Sequence, residues 1–145
     1  MSLPFEVLQK KLQKLKNNTK EVLVEVLNSN EKSIIKLNTQ DQLFKKGIDS
    51  RGKVIEPAYA PSTIKRKKRK GQPSNRVTLK DTGDFYSDMD IDYGQKDFTM
   101  INYDDKYKDL RKKYGEDILG LTDESIEKLR DILRVKLFQK IKRLI

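Results

Sequence analysis

At 145 residues, with 35% apolar and 37% charged side chains, the chain has the length of one ordinary domain but little material for a thick core. It contains neither cysteine nor histidine, which removes disulfides, thiolate metal sites and the usual general base near neutral pH. Most catalytic templates go with them, so the expectation is no enzyme, no cofactor and no metal site, and the net charge of +10 turns attention to binding partners.

Composition and periodicity predict one α+β domain over 1–145. It is helical at 1–46, an extended basic arm at 47–80, a turn and β-hairpin at 81–104, and helical again at 105–145. Ser2 and Pro4 suit a helix start, since proline costs nothing in a first turn. Leu8, Leu12, Leu15, Thr19, Val22 or Leu23, and Val26 or Leu27 then recur in steps of three and four, the period of an amphipathic helix. Asn28-Ser29-Asn30 interrupts or bends it, and Ile34, Ile35, Leu37, Leu43 and Phe44 resume an apolar face up to Gly47. Two helices and one long kinked helix are equally readable. No apolar run is long enough to span a membrane, Val22-Leu23-Val24 being flanked by charge, and the chain reads as neither secreted nor membrane-spanning.

From Gly47 to Pro61 the helical period is lost, and Asp49-Ser50-Arg51-Gly52 has the chemistry of a loop or small hairpin. Pro61 can open a short helix that Gly71 and Pro73 stop. Asp81-Thr82-Gly83 forms a tight turn in which Asp81 can cap the next half-turn and Gly83 permits a positive φ. Met89, Ile91 and Tyr93, then Phe98 and Met100, alternate with Asp88, Asp90, Asp92 and Thr99. That period of two predicts an antiparallel pair turning near Gly94-Gln95-Lys96, with one face apolar and the other acidic. Asp105 to Tyr114 reads as a short charged helix ended by Gly115. Thr122 caps a last helix with a buried stripe at Ile126, Leu129, Leu133, Leu137, Ile141 and Leu144, acidic at its start and basic at its end as the macrodipole prefers.

Charge is unevenly distributed. Residues 1–50 carry +3, residues 51–80 carry +9, residues 81–105 carry −7 and residues 106–145 carry +5. Patches of alternating sign can meet patches on a neighbouring copy, or they can be solvated faces. The densest block is Lys65, Arg66, Lys67, Lys68, Arg69 and Lys70, which is read either as a subunit interface or as a contact for nucleic-acid phosphates. The ladder of Asp88, Asp90 and Asp92, with Asp97, Asp104 and Asp105, invites a metal hypothesis. Without histidine, and without an Asp-x-Asp-x-Asp-Gly loop, a solvated or inter-subunit face is favoured. Tyr86, Tyr93, Tyr103, Tyr107 and Tyr114 crowd the same region and suit an interface or ordinary packing equally. Ser62-Thr63 beside Lys65 and Lys67 reads as a helix cap rather than a serine–lysine pair.

Three motifs follow one another between Gly47 and Tyr93. Asp49, Gly52 and Lys53 form a turn of Asp-x-x-Gly-Lys type. Pro61, Ser62, Thr63 and Lys67 form a Pro-Ser-Thr segment with a following lysine. Leu79, Thr82, Gly83 and Phe85 form a Leu-x-x-Thr-Gly-x-Leu segment in which phenylalanine replaces the last leucine, and Leu119, Gly120, Leu121 and Thr122 precede the last helix. In this order the motifs resemble the tail-completion, or virion morphogenesis, proteins of tailed bacteriophages. The family's tryptophan after the first turn is absent, and Arg111-Lys112-Lys113-Tyr114-Gly115 stands where a Pro-x-Arg stretch is usual.

The resemblance implies a structural virion protein, found in the neck or tail and in host cytoplasm during assembly, that joins a ring of its own copies and helps head and tail join. The implied partners are neighbouring copies and portal, connector or tail proteins, with contact to packaged DNA possible through the basic run. From another class, a small basic nucleic-acid-binding protein using Lys65–Lys70 stands as the alternative.

Overall fold

The computed structural model describes residues 5–94 and 97–144. It is a mixed α+β protein, largely helical, with one two-stranded antiparallel sheet. The chain divides into two compact units, one made by residues 5–31 with 127–144 and the other by residues 32–126.

The first unit contains α1 (Phe5–Ser29) and most of α6 (Asp123–Leu144). Of the apolar stripe expected on α1, Val22 and Val26 are buried and Leu8 and Leu27 half-buried, whereas Leu12 and Leu23 are exposed. On α6 Leu129 is buried, Leu133, Leu137 and Ile141 are half-buried, and Ile126 is exposed. Lys140 of α6 donates to Glu25 of α1 at 2.5 Å. The helix start expected at Ser2 and Pro4, and the side chains of Leu15 and Leu144, lie outside the described residues. α1 ends where Ser29 Oγ donates to the Glu25 carbonyl and Asn30 Nδ2 to the Val26 carbonyl. Such back-bonding competes with continuation of the helix, so the chain makes two helices here.

The second unit opens with α2 (Glu31–Lys36), which widens into a π-helical segment over Leu37–Phe44. π-Helical turns are rare, and this one buries Leu37, Asn38, Thr39, Gln42 and Leu43. Residues 47–55 form a small hairpin closed by an Ile48–Val54 bridge and by the Ile55 N–H donating to the Gly47 carbonyl. α3 (Pro61–Arg69) starts with proline in its first turn. It ends as the Gly71 N–H bonds the Lys68 carbonyl and the Gln72 N–H the Lys67 carbonyl, with Gly71 at φ 68°, a Schellman closure. α4 (Asp84–Ser87) leads into β1 (Met89–Tyr93), which pairs with β2 (Phe98–Asn102), Ile91 opposite Met100. The Gly94 N–H closes onto the Asp97 carbonyl; Gln95 and Lys96 of the expected turn lie outside the described residues. α5 (Tyr107–Tyr114) ends at Gly115, φ 94°.

The core of this unit is one cluster of Leu43, Ile55, Val77, Leu79, Phe85, Met89, Met100 and Ile118. Three of its members, Ile55, Val77 and Leu79, come from the stretch that the sequence presents as an extended basic arm. Residues 47–80 are therefore folded against the core. Isolated apolar positions between the charges anchor them, and burying such side chains outweighs the cost of ordering the loop only because they meet a common cluster.

Candidate functional site

The first motif is a turn organised by one buried carboxylate. Asp49 Oδ1 accepts from the backbone N–H groups of Arg51 and Lys53 at 2.9 and 3.1 Å, and Oδ2 from Arg51 Nη2 at 2.7 Å. Burial alone would raise the Asp49 pKa, but the bonds from the Arg51 side chain and from the two N–H groups outweigh it and hold the carboxyl below its ordinary value. Gly52, φ 79°, completes the turn, and Lys53 is exposed.

This turn meets the Leu119-Gly120-Leu121-Thr122 segment. The Ser50 N–H donates to the Asp117 carbonyl at 2.8 Å, and a Cβ on Gly120 would lie 3.0 Å from the Ser50 Cβ. From the π-helical segment, Asn38 Nδ2 and Gln42 Nε2 both donate to the Gly120 carbonyl, at 2.8 and 2.9 Å, while Gln42 Oε1 accepts from the Thr122 N–H. Thr122 Oγ1 then accepts from the Ser125 N–H at 3.1 Å, the N-cap of α6. Sequence reasoning gave Asn38 and Gln42 no role. Their only signal was two amides four residues apart inside an otherwise apolar face.

The second and third motifs converge on a cleft of about 200 Å³ between α3, the 79–85 turn and α5. Thr63, Leu79, Thr82, Gly83 and Phe85 line it, and Pro61 opens the helix that forms one wall. The helix cap expected from Ser62-Thr63 is not made by either side chain; Ala60 occupies the N-cap without a side-chain bond. Gly83 has φ 96°, the left-handed geometry expected of it. Asp81 does not cap α4. Thr82 Oγ1 accepts from the Asp84 N–H instead, and Asp81 pairs with Lys70 at 2.6 Å. That lysine's hydrogen bond holds the Asp81 carboxyl below its usual pKa.

Leu79 is also left-handed, φ 58°, an uncommon conformation for a non-glycine residue. It is held from both sides. Tyr59 Oη accepts from the Thr78 and Leu79 N–H groups at 3.0 and 3.3 Å. Lys67 Nζ, in a side chain only 4% exposed, donates to the Lys80 carbonyl at 2.8 Å while sitting 4.9 Å from the Tyr59 ring centroid. Tyr86 Oη donates to the Thr78 carbonyl, and burial, with a smaller contribution from Tyr59, raises its pKa.

The basic run is thus divided. Lys67, which the sequence presents as one cation of an interface or phosphate-contact run, is an internal strut; its methylenes pack inward while its ammonium finds a carbonyl and an aromatic face. Lys70 is committed to Asp81. Lys65, Arg66, Lys68 and Arg69 are exposed, and among the described residues none of these four enters an ion pair.

On the sheet, Met89, Ile91 and Met100 are buried while Asp92 and Thr99 are exposed, so the acidic ladder faces outward. Among the described residues no three carboxylates converge as a metal site. The tyrosines split: Tyr86, Tyr107 and Tyr114 pack against the core, Phe85 and Tyr107 stacking at 6.2 Å, whereas Tyr103 is exposed. No helix among the described residues is long and apolar enough to cross a membrane. Compared with protein-family models, curated proteins and solved structures, the chain finds no match.

Proposed function

We propose that this chain is a structural protein of a tailed bacteriophage that acts at head–tail joining, as a tail-completion or neck-ring component. The reading is carried by the order of the motifs and by how they are used. The Asp49-Gly52-Lys53 turn braces the Leu119-Gly120 segment, and the Pro61-Thr63 helix and the Leu79-Thr82-Gly83-Phe85 turn build one cleft. Motifs that hold one another in place, around a surface rich in unpaired cations, suit a part whose task is to present a shaped surface to neighbours. The function would be exercised in the virion, after assembly in host cytoplasm, against copies of itself and portal, connector or tail proteins. Rings arise when one surface meets a different surface on the next copy and the rotation closes. Deleting the gene in the producing phage is expected to yield filled heads and separate tails; normally joined particles would overturn the proposal.

A second reading, a small basic nucleic-acid-binding protein, is favoured by Lys65, Arg66, Lys68 and Arg69 standing exposed on one short helix. It predicts DNA affinity falling steeply with salt, and a shallower salt slope by about one phosphate contact for each productive cation removed.

A further inference from the structure

We infer that the cleft between α3 and α5 docks the outer face of the β1–β2 hairpin of a second copy, joining copies head to tail. The blocks 51–80 and 81–105, +9 and −7, are neighbours in sequence, and mutual neutralisation within one copy would be the simplest use of them. The fold joins them at Lys70–Asp81 but leaves Lys65, Arg66, Lys68 and Arg69 on one side, and the exposed Asp88 and Asp92 on the other, without an ion pair among the described residues. Charge left uncancelled within a copy is available between copies, where it steers encounter and fixes register.

The two surfaces match in more than sign. The cleft has an apolar floor of Leu79 and Phe85, and Arg66, Lys106 and Lys113 line it without ion pairs among the described residues. Its lining carries five cations, Arg66, Lys67, Lys80, Lys106 and Lys113, against three carboxylates, Asp81, Asp84 and Asp104, of which Asp81 is committed to Lys70. The strand register places Ile101 opposite Asp90 and Thr99 opposite Asp92, so the outer face offers one half-buried aliphatic side chain among carboxylates. An apolar centre within a charged rim is the usual anatomy of an interface. No residue of either strand lines the cleft, so one copy can use both surfaces at once. Such a heterologous contact makes a ring if the rotation closes and a filament if it does not. The purpose of the contact rests on the assembly reading; its surfaces rest on the charge and register alone.

The test mixes isotopically light and heavy copies of the full chain at low salt with a zero-length carbodiimide cross-linker and maps light–heavy links by mass spectrometry. Links from Asp88 or Asp92 to Lys65, Lys68, Lys106 or Lys113 of another copy are expected, and they should fall at least tenfold near 1 M salt, where screening reaches about 3 Å. Two variants with unchanged circular dichroism, D88K/D92K and R66E/K113E, should each lose concentration-dependent sedimentation, and an equimolar mixture of the two should recover it. Links confined within copies, variants that associate like the parent, or a mixture that stays monomeric would each overturn the inference. Loss of DNA affinity in R66E/K113E with no interchain links in the parent would do so as well, assigning the cleft to nucleic acid. If the links form but phage particles join normally without the chain, the contact stands and the virion reading falls.

Discussion

The two units bury their apolar residues to very different extents. In residues 32–126, eight apolar side chains close into one buried cluster, and the loops around it are tied by buried amides, a buried carboxylate and a buried lysine. In the helical unit the buried apolar side chains among the described residues are Val22, Val26 and Leu129, while Phe5, Leu12, Val135 and Phe138 are each 48% or more exposed. Two long helices offer each other one contact face. Their remaining apolar side chains gain burial only from further protein, whereas the second unit buries most of its apolar side chains at least in part and leaves Val54, Tyr103 and Ile126 exposed. The difference teaches that the first unit is the part whose stability should respond most to partners, and the second the part that carries shape.

The largest expected effect tests that contrast directly. Leu43 and Ile118 are fully buried, so Leu43→Ala or Ile118→Ala should cost about 2–5 kcal/mol through lost transfer energy and a residual cavity. Leu12→Ala and Phe138→Ala should stay within about 0.5 kcal/mol in the isolated chain, as surface substitutions do. Denaturant midpoints measure all four. A loss at Phe138 comparable to that at Leu43 would erase the contrast and show the helical unit to be closed on its own.

Much of this organisation is legible in the sequence because it is encoded locally. The hairpin follows from strict alternation through Met89, Ile91 and Met100, the start of α3 from Pro61, the cap of α6 from Thr122, and the left-handed turn from Gly83. What escapes is encoded at a distance. Asn38 and Gln42 acquire their partners 78 to 82 residues away, and the π-helical segment that aims them has no period distinct from the helix it continues. Lys67 reads as one cation among six until its bond to the Lys80 carbonyl, 13 residues on, gives it a different role. For the candidate site, the sequence supplied the motif residues and the run of charge, but not their meeting in one cleft or the contribution of Tyr59, Lys106 and Lys113.

Lys67 sharpens the comparison inside the well-packed unit. Lys67→Ser leaves the Lys80 carbonyl without its donor beside a strained Leu79, and should cost about 1–3 kcal/mol. Lys65→Ser and Lys68→Ser should be near neutral. Neutralising the whole run would therefore confound fold with function, while a set that spares Lys67 would not. Equal stability for all three single variants, read from thermal melts, would remove Lys67 from the core.

Gly83 comes next. A Cβ there meets nothing within 4 Å, but φ is 96°, so the penalty is purely one of backbone conformation. Gly83→Val should destabilise by about 1–3 kcal/mol and Gly83→Asn by less, since asparagine tolerates left-handed geometry better. A valine variant as stable as the parent would mean the turn can be remade with negative φ.

The smallest effect belongs to Asp49, because Arg51 is 54% exposed on its side chain and its ion pair is screened by water. Asp49→Asn keeps an oxygen for the Arg51 and Lys53 N–H groups but loses the charge and the oxygen that accepts from the Arg51 side chain. That half-exposed guanidinium can turn to water, so near neutral pH the change should cost about 1 kcal/mol or less. The carboxyl's folded pKa lies below its unfolded value, so around those pKa values the unfolded chain binds the proton more readily and stability rises with pH. The contribution is complete above the unfolded pKa of about 3.9 and is lost as pH falls through the lower folded value. Urea midpoints of parent and variant should therefore converge as the solution is acidified below about pH 4. A constant gap between them from pH 7 to pH 2 would show that the Asp49 charge does not stabilise the turn, and that its two backbone bonds alone hold the first motif.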